Sequence, residues 1–393
     1  MKNVMITIAM AILAMGNISF SQIIPAVHEP GSVAPPAVCW VLGYYTSAPW
    51  GSRSLSPQDL PWAKYTHMGN CGAQVAYDNS KGQWTLDLHA ESIDQTSTTF
   101  VQKAHENNVK ALLLVGGSGT NFANATSSAN ITAFVNNIVS VINTYGYDGV
   151  DIDWETSLLP AQFADLLSRL RSALGSGVLI TIDTGDWDNL VEGAAQAQSY
   201  LNMINVMTYD MDRGASLSWY CSALYNDAPS GFGGINSRMR SLVNAGIPKS
   251  KLTVGIAFYG RLWTGVTQPL QSGGTMHTDV AYGSLVSDAT RWQDGYKNWD
   301  KTHYAEYLSI SNLNAFISYT GPHEIREIVQ WAKQQGFAGF MTWDINEEYV
   351  STQSNDARFP LSTALRDSVI DQYTPASVSP QSAKGAKRSS ISP

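Results

Sequence analysis

The stretch Asp148-Gly149-Val150-Asp151-Ile152-Asp153-Trp154-Glu155 decides how the rest of the chain is read. Side chains on an extended strand alternate faces, so Asp151, Asp153 and Glu155 project on one side, about 6 to 7 Å apart for each step of two residues. Carboxylates so close together repel one another, and in a partly dry site at least one keeps its proton near neutral pH. The outermost, Glu155, is best placed to reach a ligand. Taken alone, the row reads as a catalytic acid, as a solvated acidic strand end, or as a seat for a hard divalent cation.

Outward from this row, short apolar runs alternate with amphipathic segments, the pattern of parallel strands buried on both faces and crossed by helices. Strands are expected at Val38–Tyr45, Tyr65–Ala73, Lys110–Gly116, Gly149–Trp154, Leu179–Thr184, Ile204–Tyr209, Leu252–Tyr259 and Gly339–Asp344. Ala161–Leu174 and Glu324–Gln335 carry helical patterns, the second entered through Gly321-Pro322. Eight strands predict an α/β fold closed as a (β/α)8 TIM barrel. The Gly- and Tyr-rich segment from about Trp263 to Ser318 is too long for a loop and is expected to be a small α+β insertion, at residues 264–318, between strands 7 and 8 of the barrel.

Barrels of this kind place their chemistry at the C-terminal ends of the strands. The polar residues there are Asp153 and Glu155, Asp183, Tyr209 and Asp210, Tyr259 and Arg261, and Trp343 and Asp344. A tyrosine or tryptophan at a strand end also serves as packing, and Arg261 equally suits an ion pair at the rim.

The ends of the chain read differently. Val4 to Met15 is almost wholly apolar behind Lys2, and Ser19-Phe20-Ser21-Gln22 supplies small residues, so residues 1–21 are expected to be a secretory signal peptide cut after Ser21, with Gly16 the alternative. The run is well short of a membrane span. Residues 373–393, rich in Ser, Pro, Ala and Lys, are expected to form a disordered tail behind a catalytic barrel at 34–372.

A net charge of −8 without a basic stripe argues against a nucleic-acid partner. The 12 Trp and 18 Tyr offer stacking surface for a flat, weakly polar ligand. Cys39, Cys71 and Cys221 allow at most one internal disulfide, whose pairing the sequence leaves open. Asn124-Ala-Thr and Asn130-Ile-Thr are glycan acceptor patterns.

The acidic row, in all four of its acidic positions, resembles the signature of family 18 glycoside hydrolases, the chitinases. Gly43-Tyr44-Tyr45, Met207-Thr208-Tyr209-Asp210, Phe258-Tyr259-Gly260-Arg261 and Gly339-Phe340-Met341-Thr342-Trp343-Asp344 are similar to further family motifs in the expected order, over roughly Val38 to Ile370. The resemblance implies a secreted enzyme, acting as a monomer with neither cofactor nor metal, that hydrolyses β-1,4 bonds in chitin or chitooligosaccharides with retention. The substrate's own N-acetyl oxygen would be the nucleophile. It implies Glu155 as acid and then base, Asp153 orienting the acetamide, Asp151 holding the shared proton network and Tyr209 donating to the acetamide carbonyl. Asp210, Met207, Trp343, Tyr259, Arg261, Tyr44 and Gly117 would bind substrate, with Trp343 as the floor under a sugar ring.

Three positions depart from the family pattern. Leu114 stands where Ser is usual, which removes a hydrogen bond to Asp151. Gly72 stands where many members have an aromatic, which should widen the cleft, and Ala257 replaces a common Pro. Competing readings are a chitinase-like lectin, which usually lacks the terminal acid, and an endo-β-N-acetylglucosaminidase acting on the chitobiose core of N-glycans.

Overall fold

The computed structural model describes residues 39–47, 55–226 and 232–370, so the expected signal peptide and tail lie outside the described residues. The described residues form fourteen strands, β1 to β14 in chain order. β1 (Trp40–Thr46), β2 (His67–Asp78), β4 (Lys110–Gly116), β5 (Gly149–Ile152), β6 (Leu179–Thr184), β7 (Met203–Val206), β8 (Leu252–Ala257) and β14 (Gly339–Trp343) pair in parallel, and β1 bonds both β2 and β14 to close the barrel. The apolar runs explain the closure. Val41, Leu42, Ala111, Leu112, Leu113, Val150, Ile152, Ile180, Ile182, Ile204 and Val254 have no exposed surface, as strands covered on both faces require. The (β/α)8 barrel expected from the sequence is the fold observed.

Strand ends differ from expectation in several places, β7 among them, which stops at Val206 rather than Tyr209. β2 runs on to Asp78 and folds back as an antiparallel hairpin with β3 (Gln83–Asp87), extending one wall above the barrel. β5 stops at Ile152 rather than Trp154. Asp153 N still bonds Val115 O at 2.9 Å, but the chain then turns so that the Trp154 indole stacks on Phe122, with ring centroids 5.0 Å apart, and donates to Thr156 O. That turn leaves Glu155 standing out of the sheet. The strand expected to end at Tyr259 divides at Phe258, where the chain leaves the barrel.

The division starts a five-stranded antiparallel sheet in the order β10-β9-β13-β12-β11. Its members are β9 (Tyr259–Thr264), β10 (Thr275–Ala281), β11 (Lys297–Asp300), β12 (Ala305–Ile310) and β13 (Ala315–Tyr319). This is the insertion between strands 7 and 8 of the barrel. Trp263, Leu308, Phe316 and Ile317 are buried in its core.

Asp148, the first acid of the opening motif, sits at the base of β5 and holds the chain in place. It accepts from Ala111 N at 2.9 Å, Lys110 Nζ at 2.7 Å and His105 Nε2 at 2.9 Å. Cys39, Cys71 and Cys221 are separate buried thiols, so the barrel is held by burial without a disulfide among them. Among the described residues no helix is long and apolar enough to cross a membrane.

Candidate active site

A cleft of about 1180 Å³ opens at the C-terminal ends of the barrel strands. Its floor and walls include Gly117 beyond β4, Asp153 and Glu155 beyond β5, Asp183 on β6, Met207, Tyr209 and Asp210 beyond β7, and Trp343 and Asp344 at β14. The inserted sheet supplies the far wall through Tyr259, Leu262 and residues 277–281.

Glu155 presents an exposed face to this cleft, yet the surrounding walls and then Asp210 push its carboxyl above the usual range, while Arg213 pulls the other way. Behind it Asp153 is driven well above the ordinary carboxylate value, by burial first and then by Glu155 and Asp151. One Asp153 oxygen, Oδ1, is buried with no hydrogen-bond partner among the described residues. A protonated Asp153 would have a donor to offer a ligand, which an ionised one lacks.

Deeper still, Asp151 has no exposed surface and its carboxyl is pushed up to about 6 by burial, against donors that favour the charged form. Those donors are Thr181 Oγ1 at 2.5 Å, Tyr44 Oη, the neighbouring Asp183 carboxyl and, more loosely, Asn205 Nδ2 at 3.5 Å. The hydrogen bond expected to be missing because position 114 is Leu is thus replaced by the Thr181 hydroxyl on the neighbouring strand. Leu114 also accounts for Gly72: a Cβ on Gly72 would lie 2.9 Å from Leu114 Cδ2. The leucine methyl thus takes part of the room that the absent side chain leaves, and Gly72 lines the cleft beside it.

Tyr209 is 6% exposed, and burial followed by the carboxylates of Asp183, Glu155 and Asp210 holds its phenol well above the usual value. It therefore stays a donor. Its hydroxyl has only Met341 Sδ, at 3.9 Å, as partner among the described residues, so its proton is available to a ligand. Tyr259 packs edge-on against it at 6.0 Å. Trp343 keeps part of its ring in the cleft and leans on Tyr44 at 5.5 Å.

Asp210 holds the turn after β7 with φ +57°, a left-handed conformation that aspartate adopts more readily than most residues. Its oxygens receive Tyr259 Oη at 2.8 Å, Arg213 Nε at 2.8 Å and Arg261 Nη2 at 2.5 Å.

Two expected ligand contacts stand elsewhere. Arg261 is 4% exposed and its three nitrogens are taken by Asp210, Asp212 and Asp279, so it ties the β7 turn to the inserted sheet and does not line the cleft. Tyr44 has no exposed surface and lies beneath the cleft, bonded to Asp151 and Asp183. Both corrections have one cause: a strand-end position tells which end of the barrel a residue occupies, not whether neighbouring acids have already claimed it.

Other cleft residues carried no signal in the sequence. Arg213 lines the cleft beside Glu155 from an irregular loop. Arg238, on the helix Ile235–Asn244, donates to Met207 O at 2.5 Å and Tyr209 O at 2.8 Å and pairs with Asp186 at 3.0 Å, which fixes the backbone carrying the tyrosine. Asp183 was visible as a strand-end acid but belonged to no motif.

Comparison with known proteins agrees with this geometry. Chitinase A1 of Niallia circulans is 24% identical, over 91% of this chain and 63% of that protein. Chitinase C of Streptomyces lividans is 26% identical, over 78% of this chain and 56% of that protein. The chain thus spans less than two thirds of the length of these relatives. Among solved structures, a Group IV chitinase of Ostrinia furnacalis superposes with a TM-score of 0.74 at 20% identity, over 85% of this chain and all of that one, a likeness of fold. A family 18 N-acetylglucosaminidase of Paenibacillus barengoltzii superposes with a TM-score of 0.68 at 26% identity, over 84% of this chain and all of that one. Residues 41–348 match Glycosyl hydrolases family 18, and the chain, with its acid-lined cleft at the mouth of a parallel barrel, belongs to that family.

Proposed function

We propose that this protein is a chitinase that cleaves β-1,4 bonds between N-acetylglucosamine units by a retaining, substrate-assisted route. The observation that carries the reading is the graded row Asp151, Asp153, Glu155, which runs from full burial to an open face in the cleft with raised carboxyl values throughout. A carboxyl that holds its proton beside a bound sugar can deliver it to the leaving oxygen.

In this route Glu155 protonates the glycosidic oxygen as the substrate's acetamide oxygen attacks the anomeric carbon. The bond to the leaving oxygen breaks, and a bond from the acetamide oxygen forms. Asp153 holds the acetamide nitrogen and spreads the positive charge that develops there, while Tyr209 donates to the acetamide oxygen and aims it. Glu155, now a carboxylate, then takes a proton from the water that opens the cyclic intermediate. Trp343 offers its ring face to the C–H surface of the sugar.

The inserted sheet forms the cleft's far wall, and a deep groove suits a linear polymer better than the short core of an N-glycan. Retention of Glu155 weighs against a purely binding role. The apolar run Val4 to Met15 supports secretion of the enzyme to a polymer outside the cell.

The test is hydrolysis of chitotetraose by the wild-type protein and Glu155→Gln, with products followed by chromatography and the first anomer by NMR. The proposal expects early β-anomer and a loss of kcat in the variant of about 10²- to 10⁴-fold. Tight binding without turnover by the wild type would instead establish the lectin reading.

A further inference from the structure

Asp183 has no part in the route just described, yet it lines the cleft and is 4% exposed. Its Oδ1 lies 2.7 Å from the Tyr44 hydroxyl, which also bonds Asp151 Oδ2. A phenol has one hydrogen to give. Two neighbouring buried acids cannot both stay ionised behind that one hydrogen without strong repulsion, so one of them carries a proton and donates it to the Tyr44 oxygen.

The remaining contacts say which. Asp151 receives Thr181 Oγ1 at 2.5 Å and faces the Asn205 amide, so its surroundings are donors that favour the carboxylate. Among the described residues Asp183 receives from no donor but the tyrosine, it stands within hydrogen-bond reach of Asp151, and it is surrounded by the acids Asp151, Asp153 and Glu155. Asp183 is accordingly the protonated member, and burial holds it well above the ordinary carboxylate value. The arrangement at rest is Asp183–OH to Tyr44, and Tyr44–OH to the Asp151 carboxylate.

We propose that Asp183, Tyr44 and Asp151 form a proton relay that transfers negative charge from the buried floor to the cleft wall when positive charge develops on the bound sugar. The Asp183 Oδ1–H bond breaks as its hydrogen joins the Tyr44 oxygen. The original Tyr44 O–H bond breaks as that hydrogen joins Asp151 Oδ2. The chain of three keeps its total charge, Tyr44 ends as it began, Asp151 becomes a carboxylic acid, and Asp183 becomes a carboxylate facing the cleft. Heavy atoms need not move, so the response costs little reorganisation. Asp183 acts by positioning charge and leaves the proton transfer to the glycosidic oxygen with Glu155.

This inference rests on the proposed hydrolysis, and its test separates the two. Asp183→Asn keeps an N–H donor toward the Tyr44 oxygen but cannot pass on a proton or take up charge. With chitotetraose, the variant is expected to lose about tenfold or more in kcat with KM little changed. Its affinity for a cationic amino-sugar inhibitor should fall by a similar factor while affinity for the neutral oligomer holds. Tyr44→Phe should do the same, and the double variant should be no worse than the more impaired single one, because both cut one chain. Infrared difference spectra supply a readout independent of turnover: among the carbonyl stretches of protonated carboxylic acids at neutral pH, one band of the wild type should be missing in Asp183→Asn while those of the other acids remain. If that band stays, if kcat holds within about twofold, or if the two losses multiply, the relay is wrong. Absence of turnover in the wild type would overturn the proposed hydrolysis instead, with the infrared result still deciding where the proton sits.

Discussion

Replacing Arg261 with methionine keeps most of the aliphatic stem and removes the charge that three carboxylates share. The cost is unequal among them. Asp210 retains Arg213 and the Tyr259 hydroxyl, each at 2.8 Å, and Asp279 is 39% exposed and can turn to water. Asp212 has neither remedy: its side chain has no exposed surface, Arg261 Nε at 3.2 Å is its cation, and among the described residues only the Trp263 indole stands near enough to ease its charge otherwise. Stranding a buried charge in this way typically costs about 3–5 kcal/mol. At about 2–4 °C per kcal/mol, the melting temperature should drop by roughly 6–20 °C near pH 8. Burial already raises the Asp212 carboxyl to about 6 with the arginine present, and its removal raises it further. A carboxyl whose folded value is raised imposes no penalty at pH low enough to protonate it in both states. The penalty grows as pH climbs past the unfolded value of about 3.9 and levels off above the folded one. The deficit of Arg261→Met relative to wild type should therefore shrink near pH 5. Calorimetry or urea unfolding at both pH values measures it. Equal stability near pH 8, or a deficit at least as large near pH 5, would refute the view of Arg261 as the strut of a buried charge cluster.

Tyr209→Phe removes a hydroxyl whose only partner among the described residues is the Met341 sulfur, so unfolding free energy should change by less than about 1 kcal/mol. Initial-rate kinetics on chitotetraose should nonetheless show kcat lower by about 10²-fold, and a variant as active as wild type would remove Tyr209 from the acetamide. Arg213→Gln deletes the positive charge that pulls the Glu155 carboxyl down and leaves Asp210, which pushes it up. The acid then keeps its proton to higher pH, so the basic limb of the kcat profile should move upward; a shift to lower pH would contradict that electrostatic assignment. Gly117→Ala places a side chain at φ +144° with its Cβ 3.2 Å from Val75 N, and thermal unfolding should report a loss of about 1–3 kcal/mol.

The barrel was legible because its strands carry the signal that burial on both faces imposes, continuous apolar runs such as Ala111 to Val115. The acidic row was legible for the complementary reason, since acids at every second position in such a run have no packing rationale. Strand ends were less so. Nothing in Trp154 itself says that its indole will leave the strand to stack on Phe122, and nothing in Phe258 says that the chain departs there for another sheet. Arg213 and Arg238 were invisible because their roles depend on which backbone they meet after folding. Arg261 and Tyr44 were correctly set at the mouth of the barrel but given the wrong company, because Asp212, Asp279 and Asp183 come to them from distant parts of the chain.

The contact between Leu114 and the bare backbone of Gly72 has an evolutionary corollary. The two positions are one trait written at two sites, and neither can change freely while the other stays. A serine at 114 alone would leave a void beneath Gly72, and a large ring at 72 alone would run into the leucine methyl that a Cβ already meets at 2.9 Å. A lineage passing between this floor and one built from serine and an aromatic must cross a hollow or a crowded intermediate. The two sites are therefore coupled, and libraries that vary them together sample floors that single changes miss.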